Sequence, residues 1–119
     1  MGKRLVFIVD KPLHGSVKAQ EFLDAILMSA AFDQQVAVVI VDDGVFSMLK
    51  NQNPEELQMK NILLVFGSLP LYGVNDVYVE EEALSERGLS TDQLHAVSNV
   101  VPKNKINQTM LAAHHIFSF

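Results

Sequence analysis

The sequence predicts a single-domain α/β fold: a doubly wound, mainly parallel five-stranded sheet with helices on both faces. The first observation is a unit that occurs twice within residues 1–50, an apolar strand followed by a loop with acids and a glycine and then a helix. The second is that both strands, 5–9 and 36–41, are continuous apolar runs without polar alternation, which indicates burial of both faces in a parallel sheet. The length of 119 residues suits one domain, 1–119, and is too short for two.

Three later strands are expected from shorter apolar runs. They lie at 76–80, at 95–97, where the signal is weaker, and at 115–119. Residues 59–70 allow two interpretations, because 62–66 could form a buried strand while apolar residues across the segment also recur at helical spacing. We favour a helix there, since the next strand begins soon after Gly73.

The helices are predicted from apolar periodicity and from signals at their ends. They are expected at 16–32, 45–49, from 53 onward, 59–70, 81–87 and 104–113. Asn53 and Pro54 suit a helix N-terminus. The helix 81–87 begins with acids, ends with Arg87, and is followed by Gly88, which suits a left-handed residue that closes a helix.

Composition excludes several functional classes. The net charge is −5 and the nine basic residues are scattered, so direct nucleic-acid binding by this chain is not expected. No apolar stretch is long enough to span a bilayer and no cleavage-site pattern follows the N-terminus, so we expect a cytoplasmic protein. Cysteine is absent, which excludes a disulfide framework, a thiolate metal site and a thiol nucleophile or persulfide carrier on this chain.

The candidate site lies in the loops that follow the first two strands, because the carboxyl ends of parallel strands carry the functional loops. These loops contain Asp10, His14, Gly15, Asp42, Asp43 and Gly44. The His14–Gly15 pair could hold an anion at a helix N-terminus, although local packing with a positive φ at Gly15 is the commoner situation. Asp42 and Asp43 could bind a divalent cation, although a helix cap at Asp43 and a turn with a positive φ at Gly44 explain them more simply. No catalytic residue, metal ligand or cofactor follows from any known local motif.

Several segments together resemble one known family. Residues 12–16 and 21–30 are similar to the P-x-H-G-(S/T) … E-x-L-D-A-x-L-x-x-S-A segment of the DsrE/DsrF-like sulfur-relay proteins. Residues 43–49 resemble the D-G-V-F-x-L-L motif of the TusC (DsrF) branch of that family, and 71–72, 84–89 and 116–119 match further motifs of the branch in the same order. The resemblance covers essentially the whole chain.

The resemblance implies a doubly wound α/β subunit of a cytoplasmic relay that passes persulfide sulfur toward the 2-thiouridine of the tRNA wobble position. Its implied partners are TusB-like and TusD-like subunits in a dimer of trimers, with a TusA-like donor and a TusE-like acceptor reached indirectly. The family carries its sulfur on a cysteine of the TusD-like subunit, and the corresponding position in this chain is Glu80. The resemblance therefore implies a structural subunit without catalytic residues, which we expect to self-associate when it is expressed alone.

Motif loops could then supply contacts to sister subunits. The candidate interface residues are Pro12, His14, Gly15, Asp43, Gly44, Val45, Phe46 and Tyr72. Ordinary core packing is the alternative for the apolar ones. The alternative from another functional class is a small-molecule or metal-binding enzyme domain that uses Asp10, His14, Asp42 and Asp43.

Overall fold

The computed structural model describes residues 2–13, 17–49, 64–94 and 98–119. Its centre is a five-stranded sheet in the order β4-β3-β2-β1-β5, and every neighbouring pair is parallel. The strands are β1 (Arg4–Val9), β2 (Gln35–Ile40), β3 (Asp76–Glu80), β4 (Asn99–Val101) and β5 (His115–Ser118). The predicted fold class is confirmed.

The helices fill the connections between these strands. The α-helices are α1 (Val17–Ala31), α2 (described over residues 64–68), α3 (Glu81–Glu86) and α4 (Lys103–Leu111). Short 3-10 helices span Asp42–Met48, Leu69–Tyr72 and Thr91–Gln93. Residues 64–68 are therefore helical, as we favoured over a strand, whereas the predicted helix start at Asn53 lies outside the described residues.

Alternation along the strands creates a core on each face of the sheet. Leu5, Phe7 and Val9 of β1 face the larger core, which α1, α3 and the helices around residues 64–72 cover. Val6 faces the smaller core, together with Ala37, Val39 and Ile106 of α4. Both faces of the central strands are thus buried, which is the reason their sequences contain no polar alternation.

The fourth strand of the sheet is one that the sequence analysis did not predict. The expected strand at 95–97 lies outside the described residues, and β4 pairs with β3 over Asn99–Val101. The strand has only three residues and begins with a polar one, so it carries too few apolar positions to be predicted. The Asn99 amide reaches the carbonyl oxygens of Asn75 and Val77, each at 3.4 Å, so its polar side chain is used at the sheet edge.

Candidate functional site

The loops after β1 and β2 pack against each other at the carboxyl edge of the sheet. The backbone N–H of Leu13 donates a 2.6 Å hydrogen bond to Oγ of Ser47, which is buried within the 3-10 helix Asp42–Met48. The backbone N–H of Val41 donates to the carbonyl oxygen of Val9 at 2.9 Å. Because these bonds join the two loops directly, the described residues of both loops belong to one structural unit.

Gly44 is required at this edge because of close backbone approach. A Cβ atom built on Gly44 would lie 2.1 Å from the carbonyl oxygen of Val9. The expectation of a positive φ was wrong here, since the left-handed residue of this loop is Asp42, with φ of 48°. Such a conformation is uncommon for residues other than glycine, although Asp and Asn adopt it more readily than most. The predicted left-handed residue at Gly88 is confirmed, with φ of 66°.

The carboxylate of Asp43 forms an ion pair rather than a helix cap. Nε of Arg87, at the end of α3, donates to Oδ1 of Asp43 at 3.0 Å. The residue that precedes the 3-10 helix is Val41, and no side chain caps that helix, so the predicted cap at Asp43 was wrong. No local sequence pattern predicts this ion pair, because 44 positions separate its two residues.

Glu80 lies at the carboxyl end of β3 and is buried, with 8% of its surface exposed. Burial raises the pKa of its carboxyl group, and the negative charges of Asp42, Glu82 and Glu86 raise it further, while Lys103 acts in the opposite direction. The charge of Asp42, at the end of β2, therefore disfavours ionisation of Glu80 at the end of β3.

The described residues of the alternative enzyme hypothesis do not form a metal-ligand group. Oδ1 of Asp10 is buried and has no hydrogen-bond partner among the described residues, and Nζ of Lys11 lies 3.8 Å from it. His14 and Gly15 lie outside the described residues. Within the described parts of the chain, no three His, Cys, Asp or Glu side chains are grouped as metal ligands would be. Asp43 is already paired with Arg87.

The apolar motif residues divide into core and surface. Val45 and Met48 are fully buried in the larger core, and Pro12 is half-buried. Phe46 and Tyr72 are exposed, with 38% and 49% of their surfaces accessible. Leu64 and Leu71, close to Tyr72 in the chain, are exposed to 70% and 86%. The loops at 42–48 and 69–72 therefore present large apolar side chains to solvent.

The described part of the chain contains no helix that is long and apolar enough to cross a membrane.

Comparison with known proteins identifies relatives over nearly the full length. The profile of the DsrE/DsrF-like family matches residues 3–119. A protein named Protein TusC, from Buchnera aphidicola subsp. Baizongia pistaciae (strain Bp), is 38% identical over 98 residues, which are 81% of this chain and 82% of that protein.

Two solved structures share the fold. The crystal structure of the E. coli protein ychN superposes with a TM-score of 0.76 at 20% identity and covers 100% of both chains. A protein of unknown function from Methanobacterium thermoautotrophicum superposes with a TM-score of 0.67 at 16% identity, over 97% of this chain and 98% of that one. At these identities the likeness concerns the arrangement of strands and helices.

Proposed function

The chain belongs to the DsrE/DsrF-like family, and on that basis we propose that it is a non-catalytic structural subunit of a sulfur-relay complex. The complex would contain TusB-like and TusD-like subunits, as a hetero-hexamer built from two trimers. It would pass persulfide sulfur from a TusA-like donor to a TusE-like acceptor, toward 2-thiouridine at the tRNA wobble position. The relative named Protein TusC supports this assignment.

The observation that carries the non-catalytic role is Glu80. By the motif alignment, this position corresponds to the sulfur-carrying cysteine of the TusD-like subunit, and here a buried carboxylate occupies it. A carboxylate cannot form a persulfide, and the 119 residues include no cysteine that could replace it. The nearby Asp42 and Glu82 charges would also disfavour an anionic persulfide at this edge. The sulfur carrier is therefore expected on a sister subunit.

The structural role is supported by the exposed apolar loops. Phe46 and Tyr72 lie in motif loops, and large side chains of this kind provide much of the binding energy at subunit interfaces. Interfaces of obligate complexes bury about 2,000 Å² or more, so an isolated subunit would expose a large apolar surface. We expect this chain to be stable with its partners and to self-associate without them.

A labelling experiment tests the non-catalytic role. The complex reconstituted with TusB-like and TusD-like subunits is incubated with a cysteine desulfurase, the TusA-like donor and radiolabelled cysteine. We expect reductant-labile label on the TusD-like subunit and none on this chain. The Asp42→Asn variant should retain full transfer to the TusE-like acceptor, because Asn also adopts the left-handed conformation. Labile sulfur on this chain, or loss of transfer in an assembled Asp42→Asn complex, would contradict the proposal.

An assembly experiment tests the structural role. On co-expression we expect wild-type chain to co-purify with both sister subunits. The double variant Phe46→Ser/Tyr72→Ser should lose most of that association, because 38% and 49% of the two side-chain surfaces are exposed, and a thermal melt checks that the variant still folds. Leu111→Ser is the matched control, since Leu111 is 87% exposed on α4, across the sheet from α1. Full assembly of the double variant, or equal loss in Leu111→Ser, would exclude these two loops as the interface.

A further inference from the structure

A cavity of about 260 Å³ lies between α4 and the sheet, at the edge opposite the loops that follow β1 and β2. The first residues of three neighbouring strands line it, namely Arg4 of β1, Gln35 of β2 and Asp76 of β3. The other side is formed by α4, whose residues Lys105 and Gln108 contribute to the lining. Because the loops that follow β1 and β2 are at the carboxyl ends of the same strands, this cavity is separate from the edge that carries Asp10, Asp42 and Glu80.

The floor of the cavity is apolar. Val6 and Ala37 point from adjacent strands toward α4 and line the cavity. The side chain of Ala37 is a single methyl group, whereas Val39, two residues later on the same face of β2, is larger and fully buried. The small side chain leaves space beneath α4 that the neighbouring layers do not fill. The ring of Tyr78 lines another part of the cavity.

Two cationic side chains border the cavity without an acidic partner. Nε of Arg4 donates to the amide oxygen of Gln35 at 3.3 Å, and Nζ of Lys105 lies 5.6 Å from the centre of the Tyr78 ring. Within the described residues, neither Arg4 nor Lys105 forms an ion pair. Asp76 is the only carboxylate among the lining residues. The formal charge of the lining is therefore +1, in a chain whose net charge is −5.

The Asp76 carboxylate already has a partner within the cavity. The pKa of Tyr78 is raised by burial, by the negative charge of Asp76 and by a side-chain hydrogen bond with Asp76. The tyrosine hydroxyl therefore stays protonated at neutral pH and donates to that carboxylate. Among the described residues Asp76 forms no ion pair with Arg4 or Lys105, so the guanidinium of Arg4 and the ammonium of Lys105 remain available to an anion.

From this combination we propose that the cavity binds a small organic monocarboxylate. The carboxylate lies toward Arg4 and Lys105, and the apolar body of the ligand rests on Val6, Ala37 and the Tyr78 ring. One negative charge balances the lining. The volume is slightly below the range of about 300–1,000 Å³ typical of ligand pockets, so the body is limited to a single ring or a short acyl chain. This inference does not depend on the proposed sulfur-relay role.

Three probe molecules separate the elements of the proposal. Benzoate has both the charge and an apolar ring, benzamide has nearly the same shape without the charge, and inorganic phosphate has charge without an apolar body. We expect benzoate to bind the full-length chain at least about tenfold more tightly than either of the other two, since each lacks one of the two interactions. Amide chemical-shift changes in a titration followed by NMR should centre on Val6, Ala37 and Gln108.

Variants locate the binding in the cavity. Arg4→Gln/Lys105→Gln should weaken benzoate binding about tenfold or more, because it removes both cations. Ala37→Val should weaken binding to a similar degree by filling the floor, with a thermal melt to check folding. Lys18→Gln is the matched control, since Lys18 is an exposed cation of α1, and it should bind benzoate as the wild type does.

The proposal is overturned by any of three results. The first is equal affinity for benzoate and benzamide, which would show that the two cations do not select the ligand. The second is equal affinity for benzoate and phosphate, which would show that the apolar floor does not contribute. The third is unchanged benzoate affinity in a folded Arg4→Gln/Lys105→Gln variant, which would place the binding elsewhere on the chain.

Discussion

Gly44→Ala is expected to destabilise the protein by more than about 3 kcal/mol, the range of severe core defects. The added methyl group would lie 2.1 Å from the carbonyl oxygen of Val9, a contact that forces the backbone apart. That oxygen is held at the end of β1 by a 2.9 Å hydrogen bond from the N–H of Val41, so it cannot move without losing the bond. Urea-induced unfolding followed by circular dichroism measures the loss.

Gly73→Ala is the matched control for this prediction. Gly73 has φ of 82°, and a Cβ built there meets no atom within 4 Å. Its substitution therefore carries only the cost of a left-handed alanine, about 1 kcal/mol. If Gly44→Ala lowers the free energy of unfolding by no more than Gly73→Ala does, the loops after β1 and β2 are not held as tightly as their hydrogen bonds indicate.

The comparison of these two glycines shows what the sequence could predict at the site. Gly88 was predicted correctly because a helix that ends in glycine is a local signal within a few residues. The requirement at Gly44 comes from Val9, which is 35 positions away in the sequence and adjacent only after β1 and β2 have paired. A tertiary contact of this kind cannot be read from the neighbouring residues. The sequence analysis therefore predicted a need for glycine at this position but not the close contact with Val9 that explains it.

The fold was more predictable than the site for a related reason. β1 and β2 are continuous apolar runs because both of their faces are buried. This burial is the reason that the two strands can be recognised from the sequence. The three-residue β4 buries little and carries no such signal. The pairing of Asp43 with Arg87 depends on how α3 packs on the 3-10 helix that follows β2, and neither residue type indicates its partner.

Glu80→Gln is expected to raise the melting temperature at pH 7.5 by a few degrees, about the change that 1 kcal/mol produces in a domain of this size. Glu80 is 8% exposed, and burial together with Asp42, Glu82 and Glu86 raises the pKa of its carboxyl group. At neutral pH the ionised carboxylate of Glu80 destabilises the native state, because burial and the neighbouring acids disfavour its charge. Glutamine has nearly the same shape as the protonated acid and carries no charge.

The raised pKa of Glu80 also predicts how the effect of the substitution changes with pH. A carboxyl group whose pKa is raised on folding binds its proton more tightly in the native state than in the unfolded chain. Its contribution to stability is therefore fully present below the unfolded pKa of about 4.5 and is lost as the pH rises through the folded value. The difference in melting temperature between Glu80→Gln and wild type should thus be largest near neutral pH and shrink toward pH 4.

Glu81→Gln provides the control, because it removes one negative charge from the next residue at an exposed position. It should not raise the melting temperature at pH 7.5, because an exposed acid in the first turn of α3 is favoured by the helix dipole. A lower melting temperature for Glu80→Gln at pH 7.5 would mean that Lys103 stabilises the ionised carboxylate by more than burial and the neighbouring acids oppose it. The sign of the change in melting temperature therefore decides whether the ionised carboxylate of Glu80 destabilises or stabilises the fold.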